Sequence, residues 1–143
     1  MTQSSAATGS IAKAKPADSE KITINMGYVD LGQIDLLVAE GFYSNRTDFI
    51  RTAIRNHIAT HGDALKQVVA RKMLVLGLQQ FSAADLEAVR RAGQTLEIRV
   101  LGLAAISADV TPELALETIS SVTVLGALHA SPAVKAALAG RLR

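Results

Sequence analysis

Lys21, Thr23 and Asn25 stand at alternate positions in the run Lys21-Ile22-Thr23-Ile24-Asn25-Met26. In an extended chain successive side chains point to opposite faces, so these three form one polar face and Ile22, Ile24 and Met26 form the other. The polar set holds an ammonium donor, a hydroxyl and a carboxamide. That is the chemistry of hydrogen-bonded recognition rather than of acid–base work or covalent catalysis. Other reactive side chains are sparse. The chain has no Cys and three His, at positions 57, 61 and 129. His57 and His61 are spaced i, i+4, which can place two metal ligands on one helical face. The pair stands at a helix end, however, where the dipole favours cations, and His129 is far along the chain. We therefore expect no metal site. No His has a Ser or Asp partner at a recognisable spacing, and the glycines stand alone with no GK[ST] after them. The expectation is a protein that is not an enzyme and carries no cofactor.

The elements that position the polar face follow directly. Leu31, Ile34, Leu37 and Val38 recur at spacings of three and four, which predicts a helix ended by Gly41. A second helix starts at Asn45, with Asp48 three residues on as an N-cap and capping-box pair. Its apolar stripe is Phe49, Ile50, Ala53, Ile54 and Ile58. One strand and two helices thus occupy fewer than 40 residues.

A lone strand leaves N–H and C=O groups unpaired on both edges, and so short a stretch cannot bury Ile22, Ile24 and Met26 by itself. A second copy resolves both problems. Two strands pair antiparallel across a two-fold axis, their apolar faces cover the helices, and up to six polar side chains share one face. Such a ribbon fits the DNA major groove. With the KITINM strand, the Gly41 turn and SNRTDFIRTAIR at the second helix, residues 20–60 resemble the ribbon-helix-helix DNA-binding fold of the Arc, MetJ and CopG type. The resemblance implies an obligate dimer with Ile22, Ile24, Met26, Ile34, Leu37, Phe49, Ile50 and Ile54 in its core. It implies that Lys21, Thr23 and Asn25 read base edges: Lys against guanine, Asn against adenine, Thr by hydroxyl or methyl. It also implies that Ser44, Asn45, Arg46 and Thr47 hold DNA phosphates, at a helix N-terminus with free N–H groups and partial positive charge. Nickel-responsive members of that family exist, and the absence of Cys together with the isolation of the His57–His61 pair argues against a sensor of that kind. Arg51 and Arg55 are expected in ion pairs.

Composition sets the outer bounds. The chain has 143 residues, nearly half of them apolar, and a net charge of +2. Up to Gly62 there are six Lys/Arg against six Asp/Glu, and beyond it nine against seven. Global charge thus gives little support for a nucleic-acid partner. The local arrangement matters more, with Lys13, Lys15 and Lys21 leading into the strand and Asp30, Asp35 and Glu40 on the first helix. Residues 1–19 read as a disordered arm whose lysines could add phosphate contacts. No secretory signal and no apolar run long enough for a membrane span are evident, so the expectation is a cytoplasmic protein with no membrane partner.

The C-terminal half contains a repeat. Val75-Leu76-Gly77, Val100-Leu101-Gly102 and Val124-Leu125-Gly126 recur at spacings of 25 and 24. They sit in the strand-like runs KMLVLGL, LEIRVLGL and SVTVLGAL, while Ser120-Ser121 reads as a loop. A helix start follows each run, at Ser82 with Asp85, at Thr111-Pro112, and at Ser131-Pro132. Three strand-turn-helix units imply parallel strands. Their period matches leucine-rich-type repeats, without that consensus. A small three-stranded α/β sheet or a regulatory domain of ferredoxin-like kind is the alternative to a solenoid. The expected class is therefore α+β: an arm (1–19), a ribbon-helix-helix domain (20–61), a connecting helix (62–71) and a solenoid-like α/β domain (72–143) of three repeats.

The leading functional expectation is a homodimeric, sequence-specific repressor that binds double-stranded DNA at a palindromic operator. Its repeats would support a higher oligomer. Two others stand beside it. One is an antitoxin that represses its own operon and binds a partner protein, the toxin, through its C-terminal region, although such tails are usually disordered and charged. The other is a structural assembly protein that uses the ribbon only to dimerise.

Overall fold

The computed structural model describes residues 19–143. The arm expected over residues 1–19 lies outside the described residues except for Ser19. The described chain is α+β, with six α-helices and one three-stranded parallel sheet. It divides into two compact units, residues 20–68 and residues 69–143.

In the first unit, α1 (Tyr28–Ala39) and α2 (Arg46–Thr60) form a helical hairpin. Gly41 at φ +88° closes α1. Its N–H donates to the Val38 carbonyl and that of Phe42 to the Leu37 carbonyl, which satisfies the last carbonyls of the helix. At the start of α2 the Asn45 side chain accepts from the Asp48 N–H. The expected reciprocal bond is displaced by one residue, since the Asp48 carboxylate accepts from the Ser44 N–H. Tyr43 and Phe49 meet edge to face, 5.0 Å between ring centroids, and pin the turn to the helix.

Helix α3 (Gly62–Lys72) leads out of this unit. The expected strand run KMLVLGL begins too early. Lys72 still belongs to α3, Met73 sits at φ +53°, and β1 is Val75–Phe81. Met73 fills the left-handed position that glycine usually takes at a helix end. Its N–H donates to the Ala70 carbonyl and that of Leu74 to the Val69 carbonyl. A side chain there is strained and, being exposed, gains little from packing. Met73→Gly is expected to stabilise the protein by about 0.5–1 kcal/mol, read as a rise in melting temperature, because strain relief exceeds the added chain entropy of glycine.

In the second unit the order is β1, α4 (Ala83–Arg91), β2 (Leu96–Ile106), α5 (Pro112–Thr118), β3 (Ile119–His129) and α6 (Pro132–Leu138). Each helix starts at the hydroxyl residue its sequence marks: Ser82, Thr111 and Ser131 accept from the N–H groups of Asp85, Leu114 and Val134. The strands run parallel in the order β1-β2-β3. The repeat fixes their register, for Val75, Val100 and Val124 align, as do the three leucines and the three glycines after them. Leu86 of α4, Leu114 and Ala115 of α5, and Val134 and Leu138 of α6 form one core with Ile98, Val100, Ala104, Ile106 and Val122 of the sheet. Ser120-Ser121 does not form the expected loop. Both lie in β3, where Leu96 pairs with Ile119 and Glu97 with Ser121, so that Ser120 is the extra residue of a bulge.

Candidate nucleic-acid interface

Residues 19–27 precede α1 without forming a helix or strand within the single chain. A strand needs a neighbour, and the only sheet among the described residues belongs to the other unit. Lys21, Thr23 and Asn25 are all exposed. The apolar face that alternates with them is exposed as well, Ile22 at 74% and Ile24 at 67%, with Met26 half-buried. Such exposure is costly, at roughly 25 cal/mol per Å² of apolar surface left in water.

The helices show the same deficit. Among residues 20–68 only Ile34 is a buried hydrophobic residue, while Leu37, Phe49 and Ile50 are half-buried and Ile54 is exposed. Met26, Ile34, Leu37 and Phe49 line an open groove of about 300 Å³ together with Asp30 and Gln33. Four of the eight expected dimer-core residues therefore border one apolar cavity that the single chain leaves unfilled.

Ser44, Asn45, Arg46 and Thr47 are brought together at the N-terminus of α2, all of them exposed. Their roles are not equal. Asn45 is occupied as the cap. Arg46 forms a two-pronged ion pair with Asp35 of α1, Nε to Oδ1 at 2.8 Å and the second guanidinium nitrogen to Oδ2 at 2.9 Å. Eleven residues separate the two, so neither charge periodicity nor capping rules point to the contact. This pair aims the guanidinium across the helical hairpin and neutralises part of its charge. What the site retains for an anion is the backbone: the first N–H groups of a helix have no intrahelical partner and carry its positive end.

The hydrogen bond from Arg46, with its positive charge, holds the Asp35 carboxyl below the ordinary aspartate value. Because the folded-state value is depressed, the pair stabilises the fold above the unfolded-state value of about 3.9 and is lost as pH falls through the lower folded-state value. A carboxyl NMR titration is expected to place the Asp35 midpoint below that of an unpaired aspartate, and Arg46→Ala should return it to the ordinary value. Both side chains are about half exposed, so the effect on stability is small.

His57 and His61 lie edge to face with centroids 5.3 Å apart. Among the described residues no group of three or more His, Cys, Asp or Glu is placed to hold a metal ion. No helix among them is long and apolar enough to cross a membrane.

A segment of alternating polar and apolar residues, two helices with few buried apolar side chains, and the N-terminus of the second helix make up the site. Among curated proteins and among solved structures, none matches the chain significantly. A family model does match, over residues 17–135, which takes in both units. The chain belongs to the ribbon-helix-helix transcriptional regulator family.

Proposed function

We propose that this protein is a homodimeric, sequence-specific repressor that works in the cytoplasm and inserts a two-stranded antiparallel ribbon into the major groove of a palindromic operator. The observation that carries the reading is the exposure of Ile22 and Ile24 together with an open groove lined by Met26, Ile34, Leu37 and Phe49. A second copy of residues 21–26 supplies both the missing strand and the missing core. Ile50 and Ile54 complete that core.

In the docked ribbon Lys21, Thr23 and Asn25 of each protomer face base edges. The N–H groups opening α2 hold phosphates on either side, with Ser44 and Thr47 as side-chain donors, and fix the register of the ribbon without reading sequence. Arg46 acts through its pair with Asp35, holding the helical hairpin in shape, as well as by proximity to the phosphate. Residues 20–61 form the DNA-binding and dimerisation domain, 62–71 connect, and 72–143 are a solenoid-like module for oligomerisation.

The test is binding of the full-length protein to its own upstream DNA, followed by fluorescence anisotropy across a salt series. Nanomolar affinity is expected at low salt. About six phosphate contacts would cost roughly 10³-fold in affinity between ~50 and ~200 mM salt. If no specific complex forms at moderate salt, the ribbon serves only to dimerise the protein, and the assembly and antitoxin readings move ahead.

A further inference from the structure

The C-terminal sheet carries its three helices on one side only. Leu86, Leu114, Ala115, Val134 and Leu138 all join the core that covers Ile98, Val100, Ala104 and Ile106 of β2 and Val122 of β3. Alternation therefore puts Leu101 and Leu103 of β2 on the opposite face. Register places Leu76 and Leu78 of β1 on one side of them, and Leu125 and Ala127 of β3 on the other. The result is two adjacent rows, Leu76-Leu101-Leu125 and Leu78-Leu103-Ala127, with no charged residue in either. Leu76 is 75% exposed, Leu78 55% and Leu125 51%. Parallel sheets are almost always covered on both faces, because their crossovers and cores leave neither face polar enough for water. Here the centre of one face carries exposed apolar side chains, with Glu97 and Arg99 on the same face toward one end and Gln80 and His129 toward the other.

We propose that this face packs against the same face of a second copy of the chain, within the dimer made by the ribbon. The inference rests on the dimer reading above. Three observations favour this occupant. The family's dimerisation brings two C-terminal sheets into one particle, each joined to its ribbon unit by the short helix α3. Residence in one particle raises the effective concentration of one sheet for the other wherever the connection lets them meet. The patch is also too small to hold a free partner. Six side chains fall well short of the roughly 20–30 residues a side of a free-standing interface, whereas a tethered copy needs far less. Finally, a two-fold axis perpendicular to the strands that crosses β2 between Leu101 and Leu103 opposes leucine to leucine and sets Arg99 of each copy against Ala105 of the other, so like charges are not opposed. Residues 1–18 cannot serve instead, since Met1 and Ile11 are their only large apolar side chains.

The chain has no cysteine, so a single one introduced by substitution reports its own neighbours. Leu101→Cys and Leu103→Cys are made in the full-length protein, with Ala88→Cys on the exposed side of α4 as the control. Circular dichroism checks the fold of each variant, and sedimentation velocity its mass. Under mild oxidation the sheet-face variants are expected to form covalent dimers well ahead of the control. Their rate should not change over about tenfold dilution, the mark of a tethered partner. Adding Leu76→Lys and Leu125→Lys, both at positions exposed in the single unit, should abolish the cross-link and leave the fold intact. Cross-linking no faster than Ala88→Cys overturns the proposal. So does a rate that falls with dilution and yields particles larger than a dimer, which would place the contact between dimers. A monomeric wild-type protein by sedimentation would instead overturn the dimer reading on which the proposal stands.

Discussion

Asn25→Ala is expected to cost the proposed dimer roughly 30- to 10⁴-fold in operator affinity, because on that reading each of two protomers would lose a bidentate pair worth about 1–3 kcal/mol against the wrong base. The loss should be confined to the specific site. Asn25 is exposed and sits on the polar face, so the apolar face and the helical core are untouched. Binding to unrelated DNA should be unchanged, and so should the slope of affinity against salt, because a carboxamide neutralises no phosphate. Lys21→Ala differs in kind. It removes a charge as well as a base contact, so specific and non-specific affinity both fall and the salt slope flattens. The measurement is a pair of anisotropy titrations, operator against scrambled DNA, repeated at several salt concentrations. If Asn25→Ala lowers affinity for both sequences equally, the ribbon grips DNA without reading it at this position, and sequence recognition must be sought elsewhere in the chain.

The sequence is most informative where one physical cause fixes several residues at once. The three Val-Leu-Gly triplets share a period, so parallel pairing in a common register is the arrangement in which all of them meet like neighbours. Ser82, Thr111 and Ser131 are legible for a local reason: a hydroxyl at the N-cap needs only an amide three residues away. Local rules fail where the outcome depends on tertiary geometry. Nothing in the spacing of Arg46 and Asp35 announces an ion pair between the two helices of the hairpin. Ser120 has the composition of a loop residue and lies in a strand, because the one-residue mismatch between β2 and β3 is absorbed there as a bulge. Met73 carries a left-handed backbone with no glycine to mark it. Residues 21–26 show the opposite case. Their alternation is plain in the sequence, yet the single folded chain offers them no strand to pair with.

The same triplets set the largest expected effect on stability. Gly77, Gly102 and Gly126 lie side by side across the sheet at φ +124°, +140° and +119°, a region that residues with side chains rarely adopt. The strands also approach one another closely here. A Cβ on Gly102 would lie 2.3 Å from the Gly77 carbonyl oxygen, and one on Gly126 would lie 2.0 Å from that of Gly102. Both obstacles are backbone atoms held in the ladder, so no rotamer change relieves the clash. Gly102→Ala and Gly126→Ala are therefore expected to destabilise the C-terminal unit by about 4 kcal/mol or more, a large part of the ~5–15 kcal/mol that holds a typical domain together. Gly77 separates strain from clash. Its backbone is equally unusual, but β1 is the edge of the sheet and a Cβ there meets nothing within 4 Å. Gly77→Ala should cost only the backbone strain, about 1–3 kcal/mol. Hydrogen exchange at the β2 amides reads this unit apart from residues 20–68. Protection there should be nearly lost in the Gly102 and Gly126 variants and partly retained in the Gly77 variant. Equal losses at all three positions would mean that backbone strain alone makes glycine necessary. Near-wild-type protection in Gly126→Ala would mean that the strands do not approach as closely as the stacked glycines require.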